Sequence, residues 1–138
     1  MGVIFDASLL VAAERRVIRF EPLLETLADE PVGIAAISAA ELLHGCQRAR
    51  EAGTRARRWA FVEAVLEVLP VLPFGLIEAR RYAELWSELL RAATLIGPHN
   101  LMIGATALAG GHAVVTLNRH EFERVPGLRL VTVGPFVS

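Results

Sequence analysis

The stretch that decides the fold is residues 3–8, which read VIFDAS. Val3 to Phe5 form a short apolar run that ends at Asp6, and helix-forming residues follow at 9–13. A short apolar run is typical of a buried strand, and an Asp ahead of a helical segment is typical of a helix N-terminus. The sequence therefore predicts a strand, a turn at Asp6 and a helix.

The same strand-then-helix pattern continues along the chain. Further strands are predicted at 34–37, 68–72, 113–117 and 128–133, and helices at 20–28, 38–50, 55–67, 75–93 and 100–109. Several strands are continuously apolar, which is typical of a parallel sheet covered by helices on both faces. Without a repeat or a linker, we expect residues 1–138 to form a single α/β domain with a mainly parallel sheet of four to five strands.

The composition excludes several functional classes. Hydrophobic residues make up 54% of the chain and charged residues 21%, which indicates a folded protein. The net charge of −1 argues against binding nucleic acid by bulk charge. All 14 basic residues are arginines. Because there is no lysine, a Walker phosphate loop, a Schiff-base enzyme, a Ser-Lys hydrolase and a kinase are excluded.

Cysteine usage and hydropathy predict a cytoplasmic protein without a membrane span. Cys46 is the only cysteine, so no disulfide within the chain is possible. The apolar start runs straight into Asp6, which is unlike an export signal. The uncharged stretch 92–118 is long enough for a span, but it is interrupted at 97–100 and at 110–112. We therefore interpret it as a buried helix followed by a buried strand.

Polar residues collect where strands end. Because the carboxyl ends of parallel strands meet at one edge of a sheet, we expect these residues to converge there. The candidates are Asp6, Glu41, Asn100, Asn118 and Glu121. Converging carboxylates stay ionised together when a cation lies between them, and hard oxygen ligands favour Mg²⁺ or Mn²⁺. Phosphodiester hydrolysis is the chemistry that uses such a site most naturally.

Each candidate also has a purely structural interpretation. Asp6 and Asn100 could cap the helices that follow them. Ser38 and Glu41 fit the S-x-x-E capping box, in which Glu bonds back to the first backbone amide. Asn118 and Glu121 could be ordinary loop residues. Helix capping, however, requires no common edge, and joint placement after successive strands favours a metal site.

The histidines and arginines are less specific. His44, His99, His112 and His120 form no helix-spaced ligand pair, which argues against a zinc hydrolase and favours roles at the surface or at helix ends. Arginines are concentrated between the third and fourth predicted helices and beside the predicted site: Arg48, Arg50, Arg55, Arg57, Arg58, Arg119 and Arg124. The arginine fork suits phosphate, so this cluster could guide an RNA backbone. It could equally be a solvated helix face with Glu51 and Glu63 as partners.

The ordered set of motifs resembles the PIN-domain ribonucleases and, within them, the VapC-type toxins of toxin-antitoxin pairs. The segments that carry the resemblance are VIFDAS at 3–8, ISAAELLHG at 37–45, HNLMIGATALA at 99–109, VTLNRHEF at 115–122 and VPGL at 125–128. Each motif alone is weak, but their order and spacing span nearly the whole chain.

The resemblance implies a PIN-like α/β/α sandwich and a Mg²⁺- or Mn²⁺-dependent endoribonuclease. It also implies a homodimer, and a VapB-type antitoxin whose C-terminal segment occupies the active-site groove. Asp6 and Glu41 take the places of the family's first two acids, and Ser8 that of the hydroxyl residue supporting the metal site. Asn118 and Glu121 fall in the region of the last, more variable acidic position. Arg48 and Arg119 are the candidates for contact with the RNA backbone.

Asn100 departs from the family pattern, in which an Asp directly precedes the apolar helix. Asn keeps the shape and one ligating oxygen but removes a negative charge, so we expect weaker metal binding and impaired catalysis. The alternative is a catalytically silent module that binds RNA or an antitoxin without cleavage. A phosphoacceptor receiver or a phosphatase of similar α/β layout is disfavoured, because receivers have paired acids at the first strand and a lysine near the end, and this chain has neither.

Overall fold

The computed structural model describes residues 2–138 and contains one five-stranded parallel sheet. The strands are β1 (Val3–Phe5), β2 (Val32–Ala35), β3 (Val71–Leu72), β4 (Ala113–Val115) and β5 (Leu130–Val131). Their order in the sheet is β3-β2-β1-β4-β5. The predicted α/β class with a mainly parallel sheet is confirmed.

The strands alternate with helices, which cover both faces of the sheet. The helices are α1 (Ala7–Glu14), α2 (Phe20–Thr26), α3 (Ala36–Arg48), α4 (Ala52–Val68), α5 (Leu76–Arg91), α6 (Pro98–Gly110) and α7 (Arg119–Phe122), followed by a 3₁₀ turn at Gly134–Phe136. None of the helices in residues 2–138 is both long and apolar enough to cross a membrane. The stretch 92–118 contains α6 and β4, as predicted.

Alternate residues of β1 contribute to cores on opposite sides of the sheet. Val3 and Phe5 belong to a cluster that includes Leu9 of α1 and Val62 of α4. Ile4 belongs to a second cluster built around α6. A strand buried on both faces must be continuously apolar, which explains the sequence of β1.

The sheet order places β1 between β2 and β4, so the chain proceeds to opposite sides of β1 in its first and second halves. In open parallel sheets such a switch point leaves a crevice outside the carboxyl ends of the strands. Phe5 is in register with Val115, and each is the last residue of its strand. The residues that follow, Asp6 and Thr116, therefore lie side by side at the crevice.

Two of the capping interpretations are wrong. Helix α3 begins two residues before the predicted start, with Ala35 at the N-cap, so Ser38 lies inside the first turn and is fully buried. The chain turns directly from β2 into α3, which leaves no room for the predicted capping box. Helix α6 begins at Pro98 with Gly97 at the N-cap, so Asn100 is a helical residue rather than a cap. Proline favours the first helical position because its fixed φ suits the helix.

Several predicted boundaries also differ. Helix α4 begins at Ala52, three residues before the predicted start at 55. It continues through Val68, which shortens the predicted strand 68–72 to the two residues of β3. The loop expected after β4 contains the short helix α7, with Asn118 at its N-cap. The predicted strand at 68–72 was too long because the apolar residues at the end of α4 resemble strand residues locally.

Candidate active site

Asp6 is a buried carboxylate at the crevice. It follows β1 and caps α1, accepting a hydrogen bond from the backbone N–H of Leu9 at 3.1 Å. The hydroxyls of Ser8 and Thr116 donate to its carboxylate at 2.8 and 2.6 Å. Only 3% of Asp6 is exposed. The cap role is therefore real, and the donors from the first turn of α1 and from the end of β4 fix the carboxylate in one position.

The environment raises the pKa of the Asp6 carboxyl above its ordinary value. Burial is the main cause, and the negative charge of Glu41 acts in the same direction. The hydrogen bonds from Thr116, Ser8 and Leu9 act in the opposite direction but do not compensate. A carboxylate that is costly to ionise gains from a nearby cation, because the cation offsets both the desolvation and the repulsion.

Thr116 is a site residue that the sequence analysis did not include among the candidates. It directly follows β4, is fully buried and donates to Oδ2 of Asp6. The same hydroxyl accepts a hydrogen bond from the backbone N–H of Asn118 at 2.8 Å. The rule that identified Asp6, a polar residue directly after an apolar strand, could have found Thr116 had the predicted strand ended at Val115.

Glu121 accepts hydrogen bonds from a second group of residues. Its Oε1 accepts from the backbone N–H of Gly97 at 2.6 Å, and its Oε2 accepts from Nδ2 of Asn100 at 2.9 Å. Nδ2 of Asn118 lies 3.5 Å from the same Oε2. These donors, Gly97 first, lower the pKa of the Glu121 carboxyl. Glu121 is therefore an ionised acceptor that joins α7 to the first turn of α6.

Glu41 approaches the site from α3. Its Oε2 lies 3.6 Å from Nδ1 of His99, which is the second residue of α6. About 38% of the Glu41 side chain is exposed, so the carboxylate faces the solvent-accessible side of the crevice. His99 lies at a helix end, as predicted for the histidines.

The structure thus brings the predicted residues to one edge of the sheet through linked contacts. Thr116 connects Asp6 to Asn118, and Glu121 connects Asn118 to Asn100. Glu41 contacts the residue before Asn100 and acts electrostatically on Asp6. Ser8 donates a hydrogen bond directly to Asp6.

The donor set is suited to a hard cation but carries little charge. Within residues 2–138, no group of three or more His, Cys, Asp or Glu side chains is arranged to hold a metal ion. Asp6 and Glu41 are the acids that remain, since Glu121 already accepts from backbone and amide donors. Amide oxygens of Asn100 and Asn118 can complete an oxygen-only set. Such ligands fit Mg²⁺ or Mn²⁺, with one negative charge fewer than an Asp at position 100 would supply.

The two arginines proposed for RNA contact differ in their surroundings. Nε of Arg119 lies 3.3 Å from Oε1 of Glu123, one turn further along α7. Arg48 is exposed and lines a groove of about 120 Å³ together with Glu41. Its guanidinium is in none of the ion pairs found within residues 2–138.

Known proteins share this architecture. A family model described as PIN domain matches residues 3–128. Ribonuclease VapC1 of Rickettsia felis is 35% identical over 137 residues, covering 97% of this chain and 98% of the relative. The tRNA(fMet)-specific endonuclease VapC of Salmonella typhimurium is 35% identical over 97 residues, covering 70% and 71% of the two chains.

A solved structure agrees over the same extent. The crystal structure of VapBC2 from Rickettsia felis, bound to a DNA fragment from its promoter, superimposes with a TM-score of 0.86 and 26% identity. The superposition covers 95% of this chain and 98% of the matched chain. Fold, strand-end polar residues and full-length similarity agree: the chain belongs to the PIN-domain family, among the VapC ribonucleases.

Proposed function

We propose that this chain is the toxin of a type II toxin-antitoxin pair and acts as a Mg²⁺- or Mn²⁺-dependent endoribonuclease. The observation that carries the proposal is Asp6. It is a buried carboxylate at the switch point of the sheet, held by Ser8 and Thr116, with Glu41 close enough to raise its pKa. The VapC ribonuclease relatives support RNA as the substrate.

The residues of the site have different roles in this proposal. Asp6, Glu41, Asn100 and Asn118 would hold the cation, and the hydrogen bonds from Ser8 and Thr116 hold the Asp6 carboxylate in place. The chemistry that a bound cation would supply there is polarisation of the phosphodiester and a lower pKa of water. Glu121 holds the amide of Asn100 by accepting from its Nδ2, so it is a positioning residue in this scheme. Asn100 in place of an acid lowers the affinity for the cation, and catalysis is impaired accordingly.

The partner proposed for this chain is a VapB-type antitoxin. The similar solved structure is that of VapBC2 from Rickettsia felis bound to promoter DNA, which supports a VapB-type partner. The groove shared by Glu41 and Arg48 opens beside the site and has Leu42 and Val62 in its lining. A C-terminal antitoxin segment in this groove would cover Glu41 and block access to Asp6.

The chain is also proposed to form a homodimer and to act in the cytoplasm. Trp86 of α5 is 47% exposed, whereas Trp59 of α4 packs against the core around β1. The exposed Trp86 is therefore the tryptophan available for contact with a second copy. Light scattering on the purified chain gives the oligomeric state directly.

The decisive experiment uses purified protein free of antitoxin. Asn100→Asp should increase cleavage of RNA in Mg²⁺ or Mn²⁺, and Asp6→Ala should abolish the activity that remains. Cleavage is followed on a labelled transfer RNA and on an unstructured oligoribonucleotide, which also tests whether the substrate resembles that of the Salmonella relative. If Asn100→Asp cleaves neither RNA, the nuclease proposal fails.

The second candidate is a silent module that binds RNA or an antitoxin without cleavage. It is favoured by one observation, the absence of a third free acid beside Asp6 and Glu41 in the part of the chain that the structure describes. Thermal unfolding during a Mg²⁺ titration separates the two, because a ligand that binds the folded state raises the melting temperature by mass action. A silent module predicts no shift, whereas the nuclease predicts a shift that Asp6→Asn removes.

A further inference from the structure

Three arginines lie at the junction of α3 and α4. Arg48, Arg50 and Arg55 are exposed and surround a shallow depression of about 710 Å³, together with Gln47 and Ala49. None of the three takes part in an ion pair among the described residues 2–138. The neighbouring Arg58 contrasts with them, because it pairs with Glu14 and donates to the carbonyl of Gly45. The depression therefore concentrates positive charge that no ion pair within residues 2–138 neutralises, although the exposed Glu51 lies between Arg50 and Arg55 in the chain.

This depression is continuous with the groove at the candidate active site. Arg48 lines both, and the groove also contains Glu41. Glu41 and Arg48 are seven residues apart on α3, which is two helical turns, so both side chains lie on one face about 10 Å apart along the axis. Gly45 lies between them on the same face and contributes no side chain. The surface thus leads from Glu41 past Gly45 to the three arginines.

The start of α4 adds positive potential at the far end of this path. Its N-cap is Glu51, whose side chain makes no capping hydrogen bond, and its first turn contains no acid. The free backbone N–H groups of a helix N-terminus attract anions, and arginine binds two phosphate oxygens at once. A cluster of positive side chains beside a hydrolytic site matches a polyanion that extends beyond the bond being cleaved.

We propose that Arg48, Arg50 and Arg55 form a phosphate-binding track that holds the RNA strand as it leaves the active site at Glu41. The inference rests on the proposed ribonuclease function. It assigns backbone contacts to the α3-α4 junction, while Arg119 of α7 is occupied by Glu123. Because the contacts are to phosphates, the track contributes affinity without sequence preference.

The test measures binding of a labelled oligoribonucleotide in EDTA, so that no cleavage occurs, over a range of salt concentrations. The variant Arg48→Ala/Arg50→Ala/Arg55→Ala is compared with Arg80→Ala/Arg91→Ala/Arg129→Ala. The second variant removes the same charge at exposed positions that line neither cavity. Each single-strand phosphate contact contributes about 0.7 to the slope of log Kd against log salt, so the first variant should lower that slope by about 2. It should weaken binding by roughly tenfold to a hundredfold at 0.1 M salt, and the control should bind like wild type.

The outcomes separate the track from the ribonuclease proposal. Failure of the wild-type chain to bind RNA would remove the ribonuclease proposal itself. Wild-type binding that both triple variants retain, with unchanged slopes, would overturn the track alone. Should the triple variant not fold, Arg48→Ala alone should still lower the slope by about 0.7. A polyglutamate peptide serves as a second polyanion. If the three arginines were needed to bind this peptide but not to bind RNA, the track would also be overturned.

Discussion

Asn100 donates from Nδ2 to Oε2 of Glu121 at 2.9 Å, which fixes the orientation of its amide. Because the amide nitrogen and oxygen lie on opposite sides of the group, Oδ1 is directed away from Glu121. Glu121 is itself held by the N–H of Gly97. The neutral residue at the position of the family's third acid is therefore matched to its neighbour, and this pairing determines how the site responds to mutation.

Asn100→Asp should have opposite effects with and without metal. In EDTA, the hydrogen bond is replaced by two carboxylates at similar distance, which repel each other and lower the melting temperature. With Mg²⁺, the added charge should produce a larger rise in melting temperature than in wild type. Cleavage should increase about tenfold, which corresponds to about 1.4 kcal/mol of transition-state stabilisation.

The control for this prediction is Asn100→Asp/Glu121→Gln, in which an Asp can accept from the Gln amide. Its melting temperature in EDTA should return toward that of wild type. An unchanged melting temperature for Asn100→Asp in EDTA would contradict the pairing of the two side chains.

Thr116→Val should destabilise the chain and reduce cleavage, whereas Thr116→Ser should do neither. Valine retains the shape but removes the donor to Asp6 and the acceptor for the N–H of Asn118. Leaving buried polar groups without partners costs about 1–3 kcal/mol. Urea unfolding of the three proteins measures the difference, and equal stability of the Val and Ser variants would refute the linking role of Thr116.

Asp6→Asn should stabilise the metal-free chain at neutral pH. The pKa of Asp6 is raised in the folded state, so its contribution to stability is complete below the ordinary value of 3.8 and is lost as pH rises through the folded pKa. Asn keeps an acceptor for the Leu9 N–H and cannot ionise. The stability difference between variant and wild type should therefore grow with pH in EDTA. Equal pH profiles would show that Asp6 ionises without cost.

Glu121→Gln should show the opposite pH dependence. The pKa of Glu121 is lowered by its donors, so the stability it contributes is present above the ordinary value of 4.5 and is lost as pH falls through the folded pKa. The stability of wild type should exceed that of the variant at neutral pH, and the two stabilities should converge in acid. Thermal unfolding across this range measures the gap, and a gap that persists in strong acid would indicate a purely steric effect.

Sequence patterns located most of the site because strand ends can be recognised locally. The apolar runs predicted that Asp6 follows β1. They also located β4 closely enough to predict Asn118 as a residue that follows this strand. The capping box at Ser38 and Glu41 failed because the start of α3 depends on where β2 ends, which in turn depends on pairing with β1 and β3. Where a helix or strand begins depends on the segments with which it pairs and packs elsewhere in the chain, so local propensity does not predict the boundary.

The sequence by itself determined the α/β alternation, the parallel sheet and the identity of the polar residues at its edge, because burial on two faces requires continuously apolar strands. Only the tertiary structure decided which of these residues touch. It linked Asp6 to Thr116 across 110 positions of the chain and Asn100 to Glu121 across 21. Hydrogen bonds between side chains so far apart in sequence depend on strand order and register, which arise from the packing of the whole domain.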